Sequence, residues 1–264
     1  MDLGLKGKLA VVSGSTAGIG FAIAEVLAVE GARVIVNGRT EERVQSALKK
    51  IRERVKHADL LGVAADLGTA AGVQAFAQRV PEADVLVNNV GIFEVKPFLE
   101  IPDADWQRFF EVNVMSGVRL TRHYLAGMLK KNWGRVIFVS SESGQQIPME
   151  MVHYGMTKTA QIAIARGVAE SVAGTGITVN SVLVGPTASE GAGQFVESLA
   201  KQKGISKAEV EKEFFQGARP SSLLKRFETP EEVAAVVAFL ASTHSITING
   251  AAVRADGGVV RSIL

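Results

Sequence analysis

Tyr154 and Lys158 are the two side chains of this sequence whose types and spacing best suit proton chemistry. Residues four apart on a helix are surface neighbours, so a helix here places both on one face. A phenol ionises near about pH 10, so it gives up a proton readily and takes one poorly unless its anion is stabilised. An adjacent ammonium favours that anion and lowers the value. The only other tyrosine is Tyr124, which makes a chance pairing uncommon. Upstream, Ser140, Ser141 and Ser143 end an aliphatic run. Any of these hydroxyls could hold an oxygen on which charge develops, and composition does not choose among them. Near the start, Ser13-Gly14-Ser15-Thr16-Ala17-Gly18-Ile19-Gly20 leads from a strand pattern into a helical one. Glycines there let backbone approach a pyrophosphate, and the helix N-terminus offers unpaired N–H groups and a positive dipole end. The sequence therefore carries a candidate dinucleotide loop and, far downstream, a candidate proton donor.

The elements that must position these groups alternate along the chain. Leu9–Val12, Val34–Asn37, Leu60–Ala64, Val85–Asn88, Val136–Ser140, Thr178–Val184 and Ile248–Ala255 read as strands, rich in Val, Ile and Leu without strict polar alternation. That pattern is expected when both faces of a parallel sheet are covered. Helical patterns lie at Ile19–Glu30, Glu41–Lys56, Asp105–Lys130, Thr157–Ala173 and Pro230–Ala241. The last opens on Thr229, Pro230 and Glu232, a capping box with proline at the first helical position. The expected fold is one α/β domain over residues 1–264, a Rossmann-type doubly wound sheet of about seven parallel strands with helices on both faces. One segment, at about 187–228, breaks the rhythm. Inside it Ser206 and Glu209 form a second capping box, followed by Val210, Phe214 and Phe215 at near-helical spacing. It reads equally as a substrate-covering lid and as a surface excursion.

Composition excludes several classes of function. The net charge of +2 is too small to recruit nucleic acid or anionic membrane, and the basic run Lys49–Lys56 reads as a solvated helix face. Absence of cysteine removes disulfides, thiolate nucleophiles and zinc-thiolate sites. His57, His123 and His244 lack ligand spacing, so no metal site is expected. Met1–Lys8 has no apolar signal core and no apolar run reaches about 18 residues, which gives a cytoplasmic expectation.

The glycines are spaced Gly-x3-Gly-x-Gly, and the chain continues with Asn88-Asn89-Val90-Gly91, Asn113, Ser141 and Tyr154-x3-Lys158 in that order. With this ordered set the sequence resembles the short-chain dehydrogenase/reductase family in its single-domain form, similar to the 3-oxoacyl-carrier-protein reductase-like members. The resemblance runs from Lys8 to Gly258. It implies hydride transfer between a nicotinamide and a carbonyl or secondary alcohol, with Tyr154 as the acid/base. Ser141 is then the hydroxyl that holds the substrate oxygen. Lys158 would lower the tyrosine pKa and bind the nicotinamide ribose, and Asn113 would order a water in a proton relay. The cofactor would touch Gly14, Ser15, Thr16, Gly18, Ile19 and Gly20, with Asp66, Leu67, Asn89 and Gly91 beside its adenosine half. Val90 stands where the family usually has alanine, an exchange expected to be tolerated.

An acidic residue ending the second strand would select NAD, whereas arginine accommodates the extra phosphate of NADP. The sequence reads Val36-Asn37-Gly38-Arg39-Thr40, so NADP is favoured, through Arg39, with NAD as the alternative. The family's Pro-Gly after the sixth strand is here Gly185-Pro186, which bears on the geometry of the substrate entrance; Val184 and Thr187 are the expected nicotinamide neighbours. Met149, Met151, Phe195, Phe214 and Phe215 suggest an apolar, adaptable pocket and a moderately apolar carbonyl substrate. Arg219 is a candidate clamp for an anionic substrate. His153 reads as pocket wall or packing, because adjacent helical residues point about 100° apart, and Glu142 as a solvated loop carboxylate.

Two other functions share these residues. A non-catalytic dinucleotide sensor would need none of Ser141, Tyr154 and Lys158, and an epimerase or dehydratase of this kind usually has a larger C-terminal region. The resemblance also implies a homo-oligomer, tetramer or dimer, assembled through helices with small-residue faces such as Ala160, Ala163 and Gly167, or through the apolar tail Val259–Leu264. The expected partner is a small molecule, with no nucleic acid and no membrane.

Overall fold

The computed structural model describes residues 1–263, except for the side chains of Ala192, Gln194 and Phe195. The expected substrate contact through Phe195, and the last residue of the apolar tail, therefore lie outside the described residues. Strands β1 (Leu9–Val12), β2 (Arg33–Gly38), β3 (Leu60–Ala64), β4 (Val85–Asn88), β5 (Gly134–Ser141), β6 (Ile177–Val184) and β7 (Ala252–Ala255) form one sheet. Its order is β3-β2-β1-β4-β5-β6-β7, and every pairing is parallel. This is the doubly wound fold anticipated from the aliphatic runs.

The strands bury both faces, which explains why their sequences do not alternate. Ala10, Val12, Val34 and Val36 pack on one side with α1 (Gly18–Val29), α2 (Glu41–Arg54) and α9 (Pro230–Ala241). Val11 and Ile35 pack on the other with α3 (Ala70–Arg79), α5 (Ser116–Lys131) and α6 (Val152–Ser171). Tyr124 belongs to this second core, its hydroxyl donating to the Val80 carbonyl at 2.9 Å, so only Tyr154 is left for chemistry.

Several boundaries differ from expectation, each for a local reason. The helix α3 was not apparent: it is short and holds Gly72, yet Thr69 caps it by accepting from the Gly72 N–H, and Val73 and Phe76 are buried beneath it. The pattern at Asp105–Lys130 is two helices, α4 (Asp103–Phe110) and α5, joined by a π turn at Glu111–Met115. The helix α6 begins at Val152 rather than Thr157, which puts Tyr154 in its first turn. The last strand is shorter than Ile248–Ala255 because Gly250, at φ 68°, turns the chain before β7. The interrupting segment folds as two further helices, α7 (Glu190–Lys203) and α8 (Lys207–Gly217), the second with the anticipated Ser206–Glu209 capping box.

Candidate active site

The strand order reverses between β1 and β4, and the turns leaving their carboxyl ends open a crevice there. The glycine loop fills one side of it. Gly14 (φ 62°) and Gly18 (φ 57°) adopt left-handed backbone, where a Cβ would be strained. A Cβ on Gly20 would lie 2.4 Å from both the Gly14 carbonyl and Asn89 Nδ2, so only glycine lets the loop close on the helix. Ala17, at the N-cap of α1, makes no side-chain cap, and the first turn of the helix carries no acid. An uncapped helix N-terminus behind glycines fits an anionic ligand such as a pyrophosphate.

The loop is stitched in place by residues whose role the motif alone did not reveal. Asn37 Oδ1 accepts from the Gly14 N–H at 3.0 Å while its Nδ2 donates to the Val63 and Ala65 carbonyls. The Ser13 hydroxyl accepts the N–H groups of Asn89 and Val90. Asn89 Nδ2 donates back to the Ser13 and Gly14 carbonyls, so Asn89 buttresses the loop. Ser15 differs from the expected cofactor contact: it is buried, its N–H bonds Asn37 O, and its hydroxyl donates to Val12 O and accepts from Asn37 N. It is a strut. Thr16 lies over Gly38, where a Cβ would come within 2.4 Å of its methyl, and Arg39 stands exposed just beyond. Asp66 is exposed and accepts from the Gly68 N–H, whereas the Leu67 side chain is buried in the core.

The chemical side of the crevice lies at the ends of β5 and β6, where Ser141 pairs with Val184. The three serines separate cleanly. Ser140 donates to the Lys158 carbonyl, inside the fold, and Ser143 uses its N–H on Ser141 Oγ. The Ser141 hydroxyl acts on the Tyr154 phenol and lowers its pKa. Burial pushes that phenol up to about 12, with Ser141 pulling the other way. Lys158 Nζ stands 5.6 Å from the centroid of the tyrosine ring and donates to the Val139 carbonyl at 2.9 Å. Burial pulls its ammonium down to about 8. The lysine is thus held over the Tyr154 ring, and desolvation raises the phenol, opposite to the depression that the spacing suggested. Gly91 adjoins the pair, since a Cβ there would sit 3.6 Å from Lys158 Nζ and from Asn113 Oδ1.

Asn113 falls in the π turn and is fully buried. Its side chain is consumed internally: Oδ1 accepts from Ile92 N at 2.7 Å, and Nδ2 donates to Ile92 O and Thr157 Oγ1. Its own carbonyl accepts from Gln161 Nε2 at 2.6 Å, a partner that the motif spacing did not indicate.

Three expectations about the surroundings change. Glu142 is buried beside Ser141, not solvated, and burial raises its carboxyl above the usual range against the pull of Arg219. Arg219 is not open to an anionic substrate, because its guanidinium bonds Glu142 and reaches Glu150. The reversed Gly-Pro after β6 is accommodated by a parallel bridge from Thr187 to Glu228, with Thr187 Oγ1 donating to Gly185 O. His153 is packing, as expected: it is fully buried with its ring 4.0 Å from Phe109. The start of α7 closes over the loop, with Ser189 against Gly18, Arg43 paired to Glu190 at 2.9 Å and Gly191 against Phe93. Phe93 in turn meets the Tyr154 ring edge-on at 6.4 Å. Among the described residues no three His, Cys, Asp or Glu side chains gather as a metal-binding group, and no helix is long and apolar enough to cross a membrane.

The family model described as short chain dehydrogenase matches residues 8–200. The chain belongs to the short-chain dehydrogenase family. It is 50% identical to the uncharacterized oxidoreductase YvaG of Bacillus subtilis, with all of both chains covered. It is 32% identical to the 3-oxoacyl-[acyl-carrier-protein] reductase FabG of Aquifex aeolicus, over 98% of this chain and 100% of that one. Among solved structures, L-sorbose reductase from Gluconobacter frateurii, complexed with NADPH and L-sorbose, superposes with a TM-score of 0.94 at 32% identity, covering both chains fully. Within this short-chain dehydrogenase the glycine loop follows the carboxyl end of β1 and Ser141 ends β5 on the same edge of the parallel sheet.

Proposed function

We propose that this chain is an NADP(H)-dependent oxidoreductase that interconverts a carbonyl and a secondary alcohol. The observation that carries the reading is the buried Lys158 ammonium 5.6 Å from the Tyr154 ring on one face of α6, with Ser141 acting on the phenol from the end of β5. When bound, the nicotinamide supplies or takes up the hydride. The chain's own residues do the rest. Gly14, Thr16, Gly18, Ile19 and Gly20 receive the pyrophosphate at the uncapped N-terminus of α1, and Arg39 meets the 2′-phosphate. Asp66, the Leu67 backbone, Asn89 and Gly91 border the adenosine half, and Val184 and Thr187 the nicotinamide half. The NADPH carried by the L-sorbose reductase relative supports this choice of cofactor.

In reduction, Ser141 holds the substrate oxygen and Tyr154 delivers the proton as charge develops on it. A phenol lifted to about 12 is fully protonated at neutral pH and ready to donate. Lys158 stabilises the phenolate that remains and binds the ribose. Asn113 ties the Gly91–Ile92 turn to Thr157 on α6 and so fixes the site's wall. The segment at 187–228 serves as a lid. Exposed Phe93, Ile147 and Met149, in the segments after β4 and β5, favour a moderately apolar carbonyl compound as substrate. A homo-oligomer fits the outward face of α6, where Ala163 and Gly167 are exposed. Nothing in the site favours a non-catalytic sensor.

The test follows reduced-nicotinamide absorbance with NADPH and NADH against a panel of ketones and aldehydes, for wild type, Tyr154→Phe and Arg39→Ala. Expected are consumption of NADPH, its loss by about 10²-fold or more in Tyr154→Phe, and loss of NADPH preference in Arg39→Ala. Full activity in Tyr154→Phe would overturn the assignment.

A further inference from the structure

Tyr154, Lys158 and Gln161 follow one another at helical spacings of four and three on α6, so all three share a face. Gln161 is 1% exposed, and a buried primary amide needs partners at both ends. Its Nε2 donates to the Asn113 carbonyl at 2.6 Å, and its Oε1 accepts from Lys158 Nζ at 3.3 Å. The orientation of the amide is fixed by this environment, since a carbonyl can only accept and an ammonium can only donate. The accepting carbonyl belongs to the π turn Glu111–Met115, an element found mostly as a local insertion at functional sites. Lys158 therefore has two fixed acceptors, Val139 O from β5 and Gln161 Oε1 from its own helix.

We propose that Gln161 is a positioning residue of the proton-transfer site, whose amide anchors the Lys158 ammonium to the Asn113 carbonyl and so holds the cation against Tyr154. The proposal rests on the reading of Tyr154 and Lys158 as the proton machinery. A neutral oxygen acceptor at the ammonium favours its charged form and opposes the desolvation that acts on this buried lysine. Without it the lysine loses its proton at lower pH, Tyr154 loses its cation, and the phenol becomes harder to ionise.

Other charged groups near the pair act on the tyrosine. Glu142, in the turn after β5, raises the Tyr154 value, and Arg219, after α8, lowers it. The carboxylates and cations of the 94–108 region, Glu94, Lys96, Asp105 and Arg108, act instead on His153. None of these is altered by a change at residue 161.

The experiment compares wild type, Gln161→Met and Tyr154→Phe in the NADP-saturated enzyme. Oxidation of a secondary alcohol is followed against pH, with the Lys158 amine titrated by nuclear magnetic resonance as a substrate-independent reading. Burial already holds the Lys158 ammonium down at about 8, well below the Tyr154 phenol, so the lysine titrates first. Gln161→Met removes both hydrogen bonds at similar length and is expected to move the Lys158 midpoint, and the limb of the rate that follows it, downward by about 0.5 to 1 pH unit. Gln161→Asn keeps the amide but is too short to span both partners. It should shift the same way, and it is the variant to read if the methionine variant does not fold. A uniform loss of rate with both midpoints unmoved would make Gln161 merely structural and overturn the proposal, leaving the assigned function standing. Retained turnover in Tyr154→Phe would instead remove the reading on which the proposal rests.

Discussion

Arg219 donates through Nε to Glu142 Oε1 across 2.8 Å, with both side chains less than a tenth exposed. Glu142 follows Ser141 directly, so this ion pair ties the segment after α8 to the turn that carries the candidate substrate hydroxyl. Removing one partner of a buried pair leaves an uncompensated charge, at a cost of about 3 to 5 kcal/mol. Glu142 is the more exposed to that penalty, since its Oε2 already has no hydrogen-bond partner. Arg219→Met is therefore expected to lower unfolding free energy in urea by about 3 kcal/mol. Adding Glu142→Gln should restore at least half of it. A double variant no more stable than the single one would show that the guanidinium matters for packing over Phe214, not for the pair.

The glycine loop gives a sharper contrast. A Cβ at Gly20 would strike the Gly14 carbonyl, and backbone cannot move aside cheaply. Gly20→Ala is expected to destabilise the chain by about 1 to 3 kcal/mol and to weaken NADPH binding at least about tenfold. Gly127, on α5, has nothing within 4 Å of its would-be Cβ. Gly127→Ala should stabilise by up to about 1 kcal/mol and leave binding unchanged. Equal loss of NADPH affinity in both, by calorimetry, would contradict a cradle at Gly20.

These two sites mark the limit of what residue types and spacing reveal. Aliphatic runs such as Val85–Asn88 and the Gly14–Gly20 spacing carry their own periodicity and turn chemistry, so the sheet, its winding and the loop could be read directly. Ser141 could be chosen over Ser140 only by resemblance, because both end the same strand; the phenol it acts on comes from a different element. Gln161, Asn37 and the Arg219–Glu142 pair depend on contacts between residues 48, 22 to 28 and 77 positions apart. No local pattern encodes such contacts. Gln161 did leave one local trace, a buried-face amide seven residues beyond Tyr154 on a helix otherwise lined there with small or apolar side chains. The π turn left none, since nothing in the spacing of Glu111–Met115 separates it from continuous helix.

His153 offers a test of which neighbours of Tyr154 matter. Its ring is wedged between Trp106 and Phe109, neither nitrogen has a hydrogen-bond partner, and burial pulls its pKa below the usual histidine range. A neutral, unpaired imidazole is acting as an apolar filler. Replacement by leucine, similar in volume, should keep turnover within about threefold of wild type and cost less than about 1.5 kcal/mol of stability. If turnover instead drops by about a hundredfold or more while NADPH affinity stays intact, the imidazole takes part in proton transfer.

Glu228 sets the expected dependence of stability on pH. It lies where the segment at 187–228 returns to the body, bridged to Thr187, with its Oε1 2.6 Å from where a Gly185 Cβ would be. Burial, aided by the neighbouring Asp256 carboxylate, pushes it up to about 7. A carboxyl whose folded value lies above its unfolded one of about 4.5 binds its proton more tightly in the native state. It therefore supports the fold fully below about pH 4.5, and that support is lost as pH rises through about 7. The loss amounts to at most about 3 kcal/mol. Glu228→Gln keeps the side chain's size and cannot ionise. The variant should match wild type near pH 5 and exceed its Tm by several degrees at pH 8.5, a gap that opens across pH 5 to 7. A variant less stable at pH 8.5 than wild type would mean that the ionised carboxylate is itself held by a favourable partner in the native state.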